Sequence, residues 1–441
     1  MSVVELVSPQ RTVQVGADNS GGVLRFITAG SVDDGKSTLI GRLLHDSRAI
    51  LEDQYSAVAR ASKRRGQDNV DLSLLTDGLE AEREQGITID VAYRYFATPR
   101  RNFIIADTPG HEQYTRNMVT GASTAEAAVV LIDARKGLLP QSRRHIYLSA
   151  LLGLSEIVVA INKMDLVGYD EGTFQTIRQE VLEFARGLPH AKLSFVPISA
   201  LEGDMVVHRG ERLGWWQGST LIEALEAIDA RRDQIDLPAR LPVQLVTRLP
   251  AQLSAAGTVS AAGEPRGYLG RLESGVLSTG QDIVVLPSGQ ATRIRHILGL
   301  DGEVTEAIAG DSITLVLENQ LDVSRGDLIA AATATPKVTK EIAARLCWLS
   351  ADPFEPQRRY WLRHTTRTVR ARVRTIDSHV NIHSLELEPF NGKLGMNDIV
   401  HAQLSLQQPI ACDSYEHNRA TGAVILIDEI TNQTVAAGLI D

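Results

Sequence analysis

The sequence is poor in cysteine and has neither a long hydrophobic run nor an excess of positive charge. Its two cysteines, Cys347 and Cys412, lie far apart and outside any CxxC pattern. This excludes a disulfide framework or a cysteine metal site and favours two buried, reduced thiols. The longest apolar stretches, such as Ala127–Ile132 and Ile157–Ile161, have the length of a strand, whereas a membrane span needs roughly 18 residues. With no signal peptide apparent in Met1–Gly16, these absences predict a soluble, cytoplasmic protein without membrane contact.

The charge balance is acidic rather than basic. Lys and Arg number 45 against 54 Asp and Glu, which gives a formal net charge of −9. A protein that binds nucleic acid through its phosphates normally has a strong basic excess, so no nucleic-acid partner is expected. The hydrophobic fraction of 43% is ordinary for a globular protein. The length of 441 residues suggests two or three domains of roughly 150 residues each.

The first half alternates short β-rich runs with helical patterns. The predicted strands are Leu24–Ala29, Asn102–Ala106, Ala127–Asp133, Ile157–Asn162 and Leu193–Ile198, and the predicted helices are Lys36–His45, Gln141–Leu152, Phe174–Leu188 and Leu221–Ala230. Such alternation is typical of βαβ units. We therefore expect an α/β domain over residues 20–235, with a mostly parallel sheet and helices on both faces.

The second half of the sequence has a different pattern of predicted secondary structure. The Pro-containing segment Asp236–Leu241 resembles a linker, and a second break falls near Thr333–Pro336. Between and after them, short β-rich runs are separated by glycine turns without intervening helices, which is typical of a small barrel or sandwich. We expect two β-barrel domains, at residues 241–334 and 337–441.

A phosphate-binding pattern follows the first predicted strand. Residues 30–37 match GxxxxGKS, a P-loop in which glycines let several backbone N–H groups point at one anion. Lys36 supplies positive charge to the outer phosphates, and the Ser37 hydroxyl is suited to bind Mg²⁺. A chance match is the alternative, but a strand before the motif and a helix after it argue for function. The predicted contacts are Gly30, Ser31, Val32, Asp33, Asp34, Gly35, Lys36, Ser37 and the adjoining Thr38.

The sequence Asp107-Thr108-Pro109-Gly110 follows the predicted strand Asn102–Ala106. A carboxylate at the end of a strand can reach a magnesium ion, usually through water. Gly110 would let its backbone N–H approach the γ-phosphate closely. Taken alone the tetrapeptide is equally an ordinary turn, since Asp, Pro and Gly favour turns. Its position downstream of the P-loop favours the nucleotide site.

Two further motifs indicate guanine as the base. Asp165, in Asn162-Lys163-Met164-Asp165, can accept hydrogen bonds from guanine N1–H and N2–H₂, which adenine does not offer. Asn162 would brace the loop, and the Lys163 stem would lie along the ring. Ser199-Ala200-Leu201, after the next strand, is placed to present a backbone N–H to guanine O6. The sequence therefore predicts a GTP site with bound Mg²⁺.

The order of these motifs resembles that of the translation-factor class of GTPases. GSVDDGKST is similar to that class's GHVDHGKTT, and DTPGHEQYTRNMVTGAS to its DTPGHEDYVKNMITGAA. Residues 82–89, EREQGITI, resemble its first switch region, although a charge run such as Glu80–Glu84 is otherwise a solvated helix face. The resemblance implies that Thr88 binds Mg²⁺ in the GTP state, with Ser37 and Asp107. It also implies that His111 orients the attacking water. The predicted catalytic residues are thus His111, Lys36, Gly110 and Thr88.

Finer details resemble one branch, the large GTPase subunits of bacterial sulfate adenylyltransferases. They include VDDGKST, EREQGITID, DARKG before QSRRH, GWW at residues 214–216 and HTTR at residues 364–367. The resemblance covers the chain from about Leu24 to Ile440. It implies that GTP hydrolysis is coupled to the synthesis of adenosine 5′-phosphosulfate and pyrophosphate from ATP and sulfate. That synthesis would take place on a smaller catalytic subunit, in a heterodimer or larger assembly.

Other interpretations stay open on the sequence. The same domain plan suits a translation elongation factor that delivers aminoacyl-tRNA, since a fold does not fix a function, and a GTP-dependent regulator is a third alternative. Trp215 and Trp216 fit either a partner-facing loop or aromatic packing, and His45 fits helix packing. A set of arginines would form either an RNA-facing edge or the exposed face of a strand: Arg363, Arg367, Arg370, Arg372 and Arg374.

Overall fold

The computed structural model describes residues 22–50, 52–64, 70–75, 90–111, 114–188, 192–229, 232–249, 266–382 and 384–441. Its first sheet has six strands in the order β2-β3-β1-β4-β5-β6, and all neighbours are parallel except β2 and β3. The strands are β1 Val23–Gly30, β2 Ala92–Ala97, β3 Asn102–Asp107, β4 Ala127–Asp133, β5 Glu156–Asn162 and β6 Lys192–Pro197. The predicted strands of the first half are confirmed, and the antiparallel edge strand β2 is additional.

Helices cover this sheet. They are α1 Lys36–Asp46, α2 Glu52–Arg64, α3 Thr115–Ala122, α4 Pro140–Leu151, α5 Glu171–Ala185, α6 Leu221–Glu226 and α7 Arg232–Ile235, with 3₁₀ turns at Leu72–Leu75 and Met164–Val167. Every residue of β4 and β5 is buried, as expected for a parallel sheet with both faces covered. α6 begins with a capping box in which Thr220 and Glu223 satisfy each other's backbone N–H groups.

The middle of the chain forms an antiparallel sheet in the order β7-β16-β11-β12-β15-β9-β8, with β13 beside β12 and a separate pair of β10 with β14. The strands are β7 Arg240–Pro242, β8 Leu245–Arg248, β9 Arg266–Arg271, β10 Val276–Ser278, β11 Asp282–Leu286, β12 Gln290–Gly299, β13 Gly302–Val304, β14 Glu306–Ile308, β15 Ser312–Leu317 and β16 Leu328–Ala331. Only Val243 and Gln244 separate β7 from β8, which lie at opposite ends of this order. The sheet therefore curls back on itself around its buried side chains.

The predicted linker Asp236–Leu241 extends too far at its end. Arg240 and Leu241 lie in β7, where they pair with Ala330 and Ile329 of β16. Both side chains are buried. A short strand next to Pro242 has no periodic pattern of its own, so its pairing became visible only in the tertiary structure.

The last part of the chain is a β-barrel. Its order is β18-β22-β23-β17-β21-β19-β20, and the additional pairing of β18 with β19 closes the ring. The strands are β17 Lys337–Trp348, β18 Tyr360–His364, β19 Arg367–Val380, β20 Leu387–Pro389, β21 Ile399–Cys412, β22 Ala423–Asp428 and β23 Thr434–Ile440, and a short helix, α8, covers Arg419–Gly422. Cys347 and Cys412 are both buried free thiols, as predicted. Burial raises the pKa of Cys347 to about 12.

The barrel is packed against the α/β part. Their buried side chains form one continuous core that includes Cys347 and Ile399 of the barrel. Arg116 of α3 donates a hydrogen bond to Leu349 O at 2.9 Å, and the Tyr415 hydroxyl donates to Leu152 O at 2.7 Å. α3 begins four residues after His111, so the helix that follows the end of β3 contacts the barrel.

Candidate functional site

The P-loop curls around its own lysine at the carboxyl end of β1. Lys36, the first residue of α1, donates hydrogen bonds from Nζ to Gly30 O and Ser31 O, both at 2.9 Å. It is only 8% exposed. Burial lowers the pKa of Lys36, and the neighbouring Asp107, Asp34 and Asp33 oppose that shift. The loop therefore holds a buried cation at the carboxyl end of β1, where a polyphosphate would need positive charge.

Two glycines allow the backbone to come close in this loop. Gly35 has φ +93°, and a Cβ there would lie 2.5 Å from Asn162 Nδ2. A Cβ on Gly110 would overlap both Lys36 Nζ and Gly30 O. Any side chain at either position would displace a neighbour that the site uses.

Asp34 is the second buried charged group of the loop. Its Oδ2 accepts a hydrogen bond from Ser31 N at 2.7 Å, while Oδ1 has no partner among the described residues. Burial raises the pKa of Asp34. The hydrogen bond from Ser31 N and the positive charge of Lys36 oppose that shift.

The end of β3 meets the P-loop strand directly. Thr28 of β1 donates to Asp107 Oδ1 at 3.3 Å, and the Thr108 hydroxyl donates to Thr28 O at 2.7 Å. Residues 107–110 are buried, whereas His111 is exposed and lies 6.0 Å from the ring of Tyr114, centroid to centroid. Ser37 and Thr38 lie half-buried in the first turn of α1, and Val32 and Asp33 are exposed at the tip of the loop.

Asn162 joins the phosphate loop to the predicted base-binding loop. Its Nδ2 donates to Asp34 O at 2.7 Å, and its Oδ1 accepts from Ala200 N at 2.9 Å. The side chain is 1% exposed. Since both ends of the amide are used, its orientation is fixed, and the two loops are held in register.

Lys163 contacts the backbone carbonyl of Asp33 in the P-loop and the carboxylate of Asp133, a partner that the sequence did not indicate. Lys163 has φ +63°, donates a hydrogen bond to Asp33 O, and forms an ion pair with Asp133 Oδ2 at 3.0 Å. Burial would raise the pKa of Asp133, but hydrogen bonds from Arg135 and Lys163 outweigh it and hold the pKa well below its usual value. Asp133 therefore stays ionised and anchors the lysine stem.

Asp165 is positioned by the motif that follows the next strand. Ser199 donates a hydrogen bond from Oγ to Asp165 Oδ1 at 2.6 Å. Met164, between Lys163 and Asp165, is buried, and its N–H donates to Ile198 O at 3.2 Å. The carboxylate is thus oriented by one oxygen, while Asp165 itself remains half-buried at the pocket edge.

Arg42 of α1 is a second contributor that sequence reasoning missed. It donates from Nε to Ala200 O at 3.2 Å and from Nη2 to Leu201 O, and Asp46 lies 3.7 Å away on the same helix. It ties the helix of the P-loop to the loop of residues 199–201. Its position on the helix that follows the P-loop, six residues after Lys36, was the signal available in the sequence, but an arginine on a helix has no defined partner until the fold is known.

The α4 helix carries buried polar groups beneath the phosphate loop. Ser142 Oγ lies 3.5 Å from Ser31 Oγ. His145, fully buried, lies 3.0 Å from Gln141 through Nε2, and its Nδ1 has no hydrogen-bond partner among the described residues. Burial lowers the pKa of His145 to about 3, and the positive charges of Lys36 and Arg144 act in the same direction.

We expect His145 to make the α/β part acid-sensitive. The unfolded chain takes up a proton near the usual pKa of 6.5, while the folded chain resists protonation down to about 3. The free energy of unfolding should therefore fall as the pH drops between these values, by up to about 1 kcal/mol per pH unit. Urea titrations of the wild type and of His145→Gln measure this, with the exposed His208→Gln as control. Equal pH slopes in the wild type and His145→Gln would contradict it.

The structure describes Trp215, Trp216 and His45 but not the predicted first switch. Trp215 and Trp216 pack on Phe174, and Trp215 donates its indole N–H to Tyr169 O at 2.8 Å, which favours aromatic packing. His45 lies 2.8 Å from Asp46 and beside the ring of Tyr55. Thr88 and the other residues of the predicted first switch, 82–89, lie outside the described residues.

Within the described ranges, no helix is long and apolar enough to cross a membrane. Nor do those ranges contain a group of three or more His, Cys, Asp or Glu side chains that could hold a metal ion. The hydroxyl of Ser37 and the carboxylate of Asp107 are the hard oxygen donors that Mg²⁺ prefers, and Mg²⁺ usually takes few protein ligands alongside phosphates. The donor set therefore fits that ion.

The comparisons with protein families follow the division seen in the fold. The Elongation factor Tu GTP binding domain matches residues 22–233, Elongation factor Tu domain 2 matches residues 268–330, and the GTP-eEF1A C-terminal domain-like family matches residues 341–441. Fold and site together define a GTP-binding protein of the elongation-factor type.

Curated relatives are more specific. Sulfate adenylyltransferase subunit 1 of Erwinia tasmaniensis is 48% identical over 421 residues, 95% of this chain and 86% of the relative. The bifunctional enzyme CysN/CysC of Mycobacterium tuberculosis is 49% identical over 419 residues, 95% of this chain and 67% of the relative. Among solved structures, Sup35 complexed with GDP is 20% identical with a TM-score of 0.42, covering 98% of this chain and 97% of that one. The chain belongs to the family of sulfate adenylyltransferase subunit 1.

Proposed function

We propose that this chain is the GTPase subunit of a sulfate adenylyltransferase. It couples GTP hydrolysis to the formation of adenosine 5′-phosphosulfate and pyrophosphate from ATP and sulfate on a smaller catalytic subunit. The names of its relatives support the sulfate reaction. The observation that carries the GTPase assignment is one pocket in which Asn162 hydrogen-bonds both the P-loop and the loop after β6. Two buried thiols fit a complex that works in the cytoplasm.

The proposed GTP contacts divide between phosphate and base. The phosphate side uses Gly30–Thr38 and Asp107–His111, with Lys36 as the principal cation. The base side uses Asn162–Asp165 and Ser199–Leu201. Asp165 reads the guanine N–H groups, and the hydroxyl of Ser199 keeps it oriented. A site built around such donors and acceptors rejects a base that cannot satisfy them.

Mg²⁺ is the proposed cofactor. When bound, it supplies positive charge against the phosphate oxygens. Ser37 and Asp107 are its proposed protein ligands, and Thr88 would join them by resemblance to the translation-factor GTPases. Thr28 donates a hydrogen bond to Asp107, which fixes the carboxylate at the end of β3.

GTP hydrolysis would be coupled to a conformational change through the loop after β3. The backbone N–H of Gly110 is proposed to contact the γ-phosphate, and His111 to orient water. Loss of the γ-phosphate removes the contact at Gly110, and α3 follows this loop and reaches the barrel through Arg116. Contacts of this kind release switch segments in GTPases when the γ-phosphate leaves. The barrel is therefore the proposed receiver of the signal.

Coupling to GTP hydrolysis would supply free energy to an unfavourable reaction. Adenylylation of sulfate exchanges a phosphoanhydride for a higher-energy phosphosulfate anhydride, so the reaction is strongly uphill. GTPases without an added arginine are slow. We therefore expect weak GTPase activity from this chain alone and stimulation when the smaller subunit and its substrates are bound.

The alternative, delivery of aminoacyl-tRNA, rests on the shared domain plan and on the arginines of β18 and β19. Relatives that are 46%, 48% and 47% identical to this chain carry the name sulfate adenylyltransferase subunit 1, which favours sulfate activation. Filter binding to charged tRNA separates the two. Saturable binding to charged but not uncharged tRNA would favour the translation function.

The experiment for the proposed function co-purifies this chain with the smaller subunit. Pyrophosphate release from ATP is then followed with and without sulfate, in GTP, in GDP and without guanine nucleotide. We expect adenosine 5′-phosphosulfate to accumulate several-fold above the equilibrium yield of the uncoupled reaction when GTP is present, but not with GDP or without guanine nucleotide. GTP consumption should depend on sulfate. Equal yields under all three conditions, or GTP consumption indifferent to partner and sulfate, would refute coupling.

A further inference from the structure

The barrel carries a dense group of arginines in an acidic chain. Seven occur between residues 358 and 374, although the formal net charge is −9. Four of them form ion pairs: Arg358 with Asp428 and Glu355, Arg367 with Asp327, Arg370 with Glu429 and Arg374 with Glu341. Arg359, Arg363 and Arg372 form no ion pair with any residue that the structure describes.

Strand pairing gathers part of this group into a concavity on the outside of the barrel. Ala371 and Val373 of β19 are buried, so alternation sends Arg370 and Arg372 outward. Arg372 lies opposite Ser405 of β21 in the register. Together with Arg359 and Gln407 these side chains line a cavity of about 300 Å³ that is open to solvent. We call it the arginine basin.

The electrostatics of the basin are unbalanced. It has three guanidinium groups, and one carboxylate, Glu429, lies 2.8 Å from Arg370. Three positive charges less one negative charge leave about two uncompensated, and none of the residues lining the cavity is acidic. Arg370 also lies over the ring of Trp361, at 5.0 Å, which restrains it. Like charges held together repel each other, and a bound anion would relieve that repulsion.

The available donors select the chemistry of the anion. Guanidinium groups match the oxygens of phosphate and sulfate in bidentate geometry, and Ser405 and Gln407 add neutral donors. Two uncompensated charges match a doubly charged group. A continuous nucleic-acid track would need the positive charge to extend along the face, but Glu341 and Asp327 neutralise Arg374 and Arg367 on either side. A small ligand therefore fits better than RNA.

We infer that the arginine basin of the barrel, lined by Arg359, Arg370 and Arg372, binds a tetrahedral oxyanion, either free or as the terminal group of a nucleotide. This site lies in a different domain from the P-loop. It does not depend on the proposed coupling to a second subunit.

The test titrates the full chain with sodium sulfate, sodium phosphate, pyrophosphate and AMP. Saturating GDP and Mg²⁺ are present throughout so that the P-loop is occupied, and NaCl holds the ionic strength constant. Isothermal calorimetry measures binding, and Trp361 fluorescence reports its location. We expect at least one of the four anions to bind saturably, and Arg372→Gln to weaken that binding about tenfold, since hydrogen bonds to charged groups are strong. Trp361→Phe should retain the heat of binding and lose the fluorescence change.

The matched control is Arg374→Gln, which removes the same charge from the same strand but outside the basin. Its affinity should stay within about twofold of the wild type, and Arg372→Lys should fall between wild type and Arg372→Gln. The tightest anion identifies the source: sulfate or phosphate indicates a free ion, and pyrophosphate or AMP a nucleotide-derived group. Absence of saturable binding for all four anions, or equal losses in Arg372→Gln and Arg374→Gln, would overturn the inference. Failure of GTP-coupled synthesis would leave this result unaffected, so the two proposals fail separately.

Discussion

Replacing Asp165 with asparagine is expected to move the purine preference of the pocket from guanine to xanthine. The carboxylate accepts hydrogen bonds from two guanine N–H donors, whereas an asparagine amide donates where the carboxylate accepted. Xanthine carries an oxygen where guanine carries its N2 amine, so it complements the amide. A site built to hydrogen-bond a polar group rejects a ligand that lacks it by factors of roughly 10⁴ to 10⁵. Nucleotide dissociation constants for GDP and XDP measure the change.

The structure indicates that Asp165→Asn preserves the local hydrogen bond that orients this side chain. Ser199 Oγ donates to Asp165 Oδ1, and the asparagine carbonyl oxygen accepts the same bond. The loop should therefore keep its shape. Asp301→Asn, at an exposed position in the turn between β12 and β13, makes the same charge change in the middle part of the chain and should bind GDP as the wild type does. Unaltered guanine preference in Asp165→Asn would remove Asp165 from the base site.

The same variant tests coupling through this chain. In the complex with the smaller subunit, Asp165→Asn should support sulfate-dependent synthesis with XTP and fail with GTP. Rescue by XTP would assign the GTP requirement to this pocket rather than to a contaminating GTPase. Synthesis driven by GTP in this variant would contradict that assignment.

Gly110→Ala is expected to reduce GTP hydrolysis by roughly 10² to 10³ while leaving GDP binding within about tenfold. A Cβ at this position would overlap Lys36 Nζ and Gly30 O. Either the loop after β3 or the lysine must then move. The loss of one correctly aimed backbone donor or cation at the γ-phosphate has a cost of this order. Single-turnover hydrolysis and GDP affinity, measured on the same preparation, separate the two effects.

Gly214→Ala is the matched control for the glycine substitution. Nothing lies within 4 Å of a Cβ built at Gly214, so hydrolysis should remain at the wild-type rate. A Gly110→Ala variant with normal hydrolysis would show that the backbone there does not approach the reacting phosphate. Equal losses of GDP and GTP binding would instead indicate damage to the whole P-loop.

The parts of the site that the sequence predicted are those whose interactions are local. Residues 30–38 depend on a turn followed at once by a helix, so composition and spacing were enough to predict a phosphate loop. Asp133 and Arg42 escaped prediction because these partners lie far away in sequence: Asp133 pairs with Lys163, and Arg42 with the carbonyl of Ala200. No short motif records such a pair.

The strands of the fold were likewise predictable only where their sequence pattern is local and clear. Buried parallel strands such as β4 and β5 are continuous apolar runs, which the sequence displays directly. β2 and β7 were missed because an edge strand and a three-residue strand carry no clear period. The closure of the barrel by β18 against β19 is also a long-range pairing between short segments.

By itself the sequence determined the local features of this protein: a GxxxxGKS loop, a carboxylate predicted to read guanine, buried thiols and alternating strands and helices. Each depends on residues within a few positions of one another. Only the tertiary structure decided how these pieces meet, with Asn162 joining two loops, Arg116 reaching the barrel and three arginines sharing one concavity. The physical reason is that hydrogen bonds and charges act through space over a few ångströms, whereas the chain brings their partners from many residues away.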